Sequence, residues 1–214
     1  MSAEAVGARL YAVRERIRSA GRDPDQITIL AVTKGRGLAA CQDALACGLA
    51  ALGENRVQEA LPKLSRLPGA EWHLIGHLQT NKVRRAAGRF HLIQSIDSPA
   101  LAAAIAERAP AQAVLLQVNV AREPGKHGTA PERAVEVAAL VAGLLPLRGL
   151  MAMGPLAGDP RAAFEELAAL REEAEQRCGT ALPVLSMGMS GDFEAAVAAG
   201  STMLRLGRSL FGEA

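Results

Sequence analysis

Apolar residues along this chain alternate between two rhythms. Short runs that are apolar on both faces, rich in Val, Ile and Leu, are separated by longer stretches in which apolar residues recur every three or four positions. The first rhythm suits buried strands and the second one face of a helix. A strand apolar on both faces belongs inside a parallel sheet covered by helices. Residues 4–20 predict a helix with Val6, Leu10, Val13 and Ile17 on one side and arginines on the other, closed by Gly21 and Asp23-Pro24. The first strand follows: Thr28, Leu30 and Val32 share one of its faces, and Ile27, Ile29 and Ala31 the other. A helix at about Leu38–Cys47, a strand at Leu49–Asn55 and a helix from Val57 to Leu64, whose boundary Pro62 leaves open, come next. Glu71–Gly76 is the third strand, leading through the polar turn His77–Lys82 to a basic helix that includes Arg84 and Arg85. Phe90–Asp97 is the fourth, followed by a helix Ala100–Arg108 that Ser98-Pro99 caps. Ala113–Val120, the loop Ala121–Gly128 and a helix Thr129–Leu145 form the next unit, then the strand Leu147–Met153 and the long helix Arg161–Cys178. Pro183–Met189 is the seventh strand, Phe193–Ala199 a helix and Ser201–Gly207 the eighth strand.

Eight strands alternate with helices and no gap is long enough for a linker. The pattern predicts an α/β chain folded as a single (β/α)8 TIM barrel with an extra N-terminal helix, one domain over residues 1–214. An open doubly wound sheet would share most of it; the count of eight decides for the barrel.

Composition narrows the partners. Half of the 214 residues are apolar but only 3% are aromatic, so Ala, Leu and Val must build the core. A net charge of +2, from 24 Lys+Arg against 22 Asp+Glu, with no run of one sign, argues against an electrostatically driven nucleic-acid binder. No N-terminal apolar segment of the signal-peptide kind and no membrane-length apolar run occur, so the expectation is a soluble cytoplasmic protein with no membrane partner. Cys41, Cys47 and Cys178 share no metal-ligand spacing; the first two fall in one helix, where they act as small apolar residues.

Candidate chemistry collects where a barrel keeps its site, at the C-terminal ends of the strands. Lys34 ends the first strand on the face of Val32 and Leu30, ahead of Gly35 and Gly37. A lysine turned into a sheet's interior tends to lose its proton or find an anion, and the neutral amine is the form that attacks an aldehyde. The plainer reading is a strand-end lysine reaching into water. The seventh strand ends in Ser186-Met-Gly-Met-Ser-Gly-Asp192 and the eighth in Arg205-Leu-Gly-Arg-Ser209. These offer hydroxyls, guanidiniums and unhindered backbone N–H groups in the two loops where barrels commonly hold phosphate; otherwise the glycines merely permit tight turns. A lysine on the first strand facing a phosphate cradle is the arrangement expected for a pyridoxal 5′-phosphate (PLP) imine. Arg205 could reach the pyridine nitrogen and keep it unprotonated, or pair with a phosphate or carboxylate. A sugar-phosphate barrel enzyme with Lys34 as its Schiff-base lysine fits the same physics.

Seven stretches, in order and spanning nearly the whole chain, carry a resemblance: Ala31-Val-Thr-Lys34, Leu52–Glu59, Trp72–Lys82, Gln117–Val120 with Gly125–Gly128, Leu147–Met153, Ser186–Ser190 and Arg205–Gly212. In them the chain resembles the pyridoxal phosphate homeostasis proteins, the YggS/PROSC family. The resemblance implies a barrel of the alanine-racemase N-terminal type with Lys34 holding PLP as an internal aldimine. It implies phosphate contacts from Ser186, Gly188, Ser190, Gly207 and the residue after it, Arg208. The resulting cofactor-binding set is Lys34, Asn55, Ser186, Met187, Gly188, Met189, Ser190, Arg205, Gly207 and Arg208, with no catalytic residue and no metal ligand. Glu54 and Asn55 are expected to position the ring or a neighbouring loop.

Three departures bear on this set. Many relatives carry Lys-Thr-Lys-Pro where Lys34-Gly-Arg-Gly37 stands, which predicts a more flexible first loop. Arg208 replaces a frequent Thr, and is a phosphate donor if it turns inward and a surface residue if outward. His77 follows Gly76 where relatives often have Pro. The related racemases draw a second acid–base group, a tyrosine, from another domain. The one tyrosine here, Tyr11, is in the N-terminal helix. The expected role is therefore a monomeric carrier that buffers PLP and delivers it to PLP-dependent apo-enzymes, the alternative an amino-acid racemase.

Overall fold

The computed structural model describes residues 2–213, so the outermost residues of the expected domain, 1 and 214, lie outside it. Its elements run α1 (Ala3–Ser19), β1 (Thr28–Val32), α2 (Leu38–Ala46), β2 (Ala51–Glu54), α3 (Val57–Arg66), β3 (Glu71–Leu74), α4 (Val83–Ala86), β4 (Leu92–Ile96), α5 (Pro99–Ala106), β5 (Val114–Gln117), α6 (Ala134–Ala142), β6 (Leu147–Met151), α7 (Arg161–Cys178), β7 (Val184–Ser186), α8 (Phe193–Ala198), β8 (Met203–Leu206) and α9 (Arg208–Phe211). The strands pair in parallel in sequence order, and β8 closes on β1 with Leu30 opposite Arg205. This is a (β/α)8 barrel preceded by α1.

Two apolar layers follow from the period-2 alternation of the strands. Leu30, Ala51, Leu92, Leu115, Met151 and Met203 cluster inside the barrel. Ile29, Ala31, Leu52, Leu74, Ile93, Leu116, Leu150, Leu185 and Leu204 face the helices in the larger outer cluster. α1 is docked rather than appended, because Val6, Val13 and Ile17 are buried. At roughly 1.5–3 kcal/mol for each large aliphatic side chain removed from water, that face alone outweighs any single surface ion pair. Three of its arginines form ion pairs while staying part-exposed. Arg14 pairs with Asp25 and Arg18 with Glu15, while Arg16 pairs with Glu194 and lies 4.3 Å from the Phe193 ring centroid.

Several elements differ from the pattern. α3 holds Pro62 within it and runs to Arg66, two residues past the expected Leu64; Pro62 is exposed, and water can satisfy the carbonyl that its missing N–H leaves free. The basic helix shrinks to the single turn α4 after a 3₁₀ turn at Thr80–Lys82. The helix expected at Thr129–Leu145 is a 3₁₀ turn, Pro131–Arg133, running into α6. The loop after Lys34 is not loose: Arg36 donates to the Gly212 carbonyl at 2.7 Å, and its guanidinium lies 5.1 Å from the Phe211 ring centroid, pinning the loop to the C-terminal segment.

Candidate functional site

The ten expected site residues do not form one group: Ser186 and Arg205 lie in the interior, Met187 turns into the outer layer, and the rest belong to the strand ends and loops around the mouth. Lys34 lies two residues past the end of β1 and is exposed at the open mouth, not buried in the sheet. Arg36 N–H bonds back to the Thr33 carbonyl at 3.1 Å, so the chain turns as soon as it has presented Lys34. Behind that turn sits a buried ion pair. Glu54, fully buried, accepts from Thr33 Oγ1 and from Lys63 Nζ, both at 2.6 Å, and Lys63 Nζ also donates to the Thr33 carbonyl at 3.0 Å. Glu54 thus braces the backbone that carries Lys34 from the helix side. Its neighbour Asn55 is half-buried at the mouth, where the Asn55 carbonyl comes so close to Gly76 that a Cβ there would lie 2.1 Å from it.

The loops after β7 and β8 are tied together: Ser209 N–H donates to Ser190 Oγ at 3.0 Å. Gly188, at φ 96°, is enclosed so tightly that a Cβ would fall 2.7 Å from Ala196 Cβ and 2.9 Å from Leu204 Cδ2. Asp192 Oδ1 accepts the Met189 N–H at 2.6 Å and shapes the turn. The N–H groups of Ser190, Gly191 and Arg208 donate no hydrogen bond to any described residue. Met189 is exposed and Gly207 half-buried beside Val32, whose Cβ would be 3.7 Å from an added one. Arg208 points outward, with its guanidinium 3.9 Å from Glu213 and most of its side chain in water. Met187 turns its side chain into the outer apolar layer.

Ser186 and Arg205 belong to the interior. Ser186 is fully buried, and Arg205 donates to its Oγ at 2.8 Å, to its carbonyl at 2.7 Å and to the Ala152 carbonyl at 2.7 Å. A guanidinium only donates, so Ser186 Oγ must pass its own proton onward, to Gln94 Oε1 at 2.7 Å. The Gln94 amide then donates to His73 Nδ1 at 2.9 Å. Direction is therefore set along Arg205–Ser186–Gln94–His73, and the neutral imidazole keeps its proton on Nε2, a buried atom with no partner among the described residues. Burial, then the nearby His91, pushes the His73 pKa down to about 3. Burial likewise lowers Arg205 to about 10, against the opposing pull of Asp192, which leaves it a cation at neutral pH. Among its hydrogen bonds none goes to a carboxylate.

Thr33, Lys63 and Gln94 were not foreseen as parts of the site. Gln94 carries a usable signal, a polar residue at inward parity with Leu92. Lys63 has none short of the rotation of α3. A cavity of about 430 Å³ adjoins this region, lined by Asn55, Arg56, Gln58, His77, Gln79 and Lys82. It meets the site only at Asn55; the strand ends and their donors, not cavity size, define the mouth.

A barrel with an exposed lysine at the end of β1 and open backbone donors after β7 and β8 defines a class, and the comparisons agree with it. The family model described as alanine racemase, N-terminal domain, matches residues 8–214, and the chain belongs to that family. Alanine racemase from Corynebacterium glutamicum shares the fold, with a TM-score of 0.79 at 19% identity over 100% of this chain and 62% of that one. Within the family the chain stands with the pyridoxal phosphate homeostasis proteins. It is 44% identical over 212 residues to the one from Deinococcus radiodurans, covering 96% of this chain and 99% of that protein. PipY of Synechococcus elongatus, solved with PLP bound, superposes with a TM-score of 0.84 at 36% identity, covering 97% of this chain and 100% of that one.

Proposed function

We propose that this chain binds PLP at the barrel mouth through Lys34 and serves in PLP homeostasis, buffering the cofactor and delivering it to apo-enzymes, rather than turning over an amino acid. The observation that carries the reading is the pairing of an exposed Lys34 just past β1 with the linked loops of its neighbour β8 and of β7. The donor set fits the cofactor: an amine for its aldehyde and uncommitted N–H groups at Ser190, Gly191 and Arg208 for its phosphate, on a loop that Gly188 lets pack flush against Ala196 and Leu204. Bound PLP supplies an aldehyde that condenses reversibly with amines and a conjugated ring that can accept electrons.

The protein's own groups favour holding over turnover. Arg205, fixed by three hydrogen bonds and still charged at neutral pH, would keep a nearby ring nitrogen unprotonated and so weaken the ring as an electron sink. Racemisation needs a second proton-transfer group across from the lysine. Tyr11 is 67% exposed on α1, and His73 is buried within the polar chain of the interior. The phosphate assignment rests on backbone donors rather than on Ser186 Oγ, which Arg205 and Gln94 already engage. Recipient apo-enzymes and a monomeric state belong to the same proposal.

The test is the visible absorption of purified protein before and after borohydride, beside Lys34→Ala. A band that borohydride shifts irreversibly and that the variant lacks supports attachment at Lys34. No band with PLP added would return the site to a sugar-phosphate lysine enzyme. Exchange of an added amino acid's α-proton with deuterated solvent at enzymatic rates would overturn the carrier reading in favour of a racemase.

A further inference from the structure

We propose that His77, Asp97 and His127 form a binding site for a borderline divalent transition-metal ion such as zinc, nickel or copper(II) on the barrel rim, independent of the PLP reading. One ligand atom from each lies within 4.8 Å of the others. The two imidazoles stack with centroids 3.7 Å apart and planes 6° from parallel, and His77 Nδ1 stands 3.4 Å from Asp97 Oδ2. The three residues come from three successive loops, after β3, β4 and β5, and a buried polar side chain fixes the backbone of each loop. Ser95 Oγ donates at 2.7 Å to the carbonyl of Gly76, next to His77. Thr129 Oγ1 donates to the Asp97 carbonyl at 2.9 Å, and Gln117 Nε2 to the His127 carbonyl at 3.0 Å. Ligands held in this way by a second layer are preorganised rather than gathered from loose loops.

Two imidazoles and one carboxylate select borderline ions over magnesium or calcium, which prefer all-oxygen shells. A metal about 2.0–2.2 Å from each donor needs donors roughly 3–4 Å apart, so the rings must splay from their parallel stack to aim their lone pairs at one point. The part-exposed side chains of His77 and Asp97 have room to do so. Three protein ligands leave a tetrahedral position open to water or an outside ligand.

The rival cluster Glu71, His73 and His91, where β3 and β4 begin, also meets the distance criterion. It fails on chemistry. His73 Nδ1 accepts from Gln94, so its neutral ring carries a proton on Nε2 and has no lone pair left for a metal.

Titration calorimetry of the tag-free full-length protein with zinc chloride, with electron paramagnetic resonance of the copper(II) form, tests the site. One ion per chain is expected, with affinity at least tenfold weaker in His77→Ala, His127→Ala and Asp97→Asn and unchanged in His91→Ala, and with copper hyperfine coupling to two imidazole nitrogens. His77→Gln and His127→Gln, which keep a polar side chain on the rim, stand in if an alanine variant fails to fold. Wild-type affinity no tighter than that of the doubly substituted protein, or binding lost in His91→Ala, overturns the proposal.

Discussion

Replacing Lys63 asks whether the buried ion pair behind β1 holds the segment that presents Lys34. Glu54 is 0% exposed, and Lys63 and Thr33 share its Oε1, while Oε2 finds no partner among the described residues. Lys63→Met keeps most of the aliphatic stem and removes the ammonium, leaving a carboxylate in a site that still excludes water. Removing one partner of a buried pair costs about 3–5 kcal/mol, against roughly 0–1 kcal/mol for an exposed pair, so the two cases separate cleanly. With unfolding entropy near 2.1 cal/mol/K per residue, a chain of this length should lose about 7–11 °C in Tm. Thermal unfolding followed by circular dichroism measures it. Glu54→Leu combined with Lys63→Met should recover most of the loss, because no charge is then stranded and Thr33 Oγ1 retains the Gly53 carbonyl at 3.5 Å. PLP retention should follow the same order, since Thr33 adjoins Lys34. A Tm drop below about 2 °C in Lys63→Met would refute the bracing role, for a loss so small is what an exposed pair gives.

His73 sets a pH dependence. Its proton binds near 6.5 in the unfolded chain and only near 3 in the folded one, so the unfolded state holds more protons throughout that window and stability falls as the pH drops through it. Between pH 7 and pH 5 this residue should account for about 2 kcal/mol of lost stability; denaturant midpoints showing the same pH slope in His73→Gln would sink the assignment. Gly188→Ala should lose about 2–5 kcal/mol, from the left-handed φ of 96° and from a Cβ forced to within 2.7 Å of Ala196 Cβ, and should release PLP more readily. A urea midpoint equal to wild type would show that the packing around Gly188 yields to a methyl group without cost.

The barrel was legible because its cause is local. Alternating apolar faces report which side of a strand is inward: Leu30 joins the interior cluster, and Ile29 and Ala31 the outer one. The same parity also separates Glu54 from Asn55, since neighbouring side chains leave a strand on opposite faces. Of the two roles expected for this pair, positioning the ring or a neighbouring loop, Glu54 takes the second: it turns outward to Thr33 and Lys63, while Asn55 remains at the mouth. Parity fails where a bulge intervenes. Leu92-Ile93-Gln94-Ser95-Ile96 would send Leu92, Gln94 and Ile96 inward together, yet the register shifts between Ile93 and Ile96, and Ile96 joins the outer layer. Nothing in the composition of that run announces the extra step.

Depth along the barrel axis is the harder quantity, and it divides the candidate site. Ser186 and Gly188 share one short stretch of sequence, and a motif presents them as one phosphate-binding unit. Ser186 ends β7 below the mouth, level with Met203, where Arg205 and Gln94 take up its hydroxyl; the donors of Ser190 and Gly191 lie beyond it, unspent. How deep a strand end sits follows from register offsets accumulated around all eight strands, a property of closure that no single segment encodes. Local pattern thus names the residues of this mouth, and closure decides which of them still have a hydrogen bond to give.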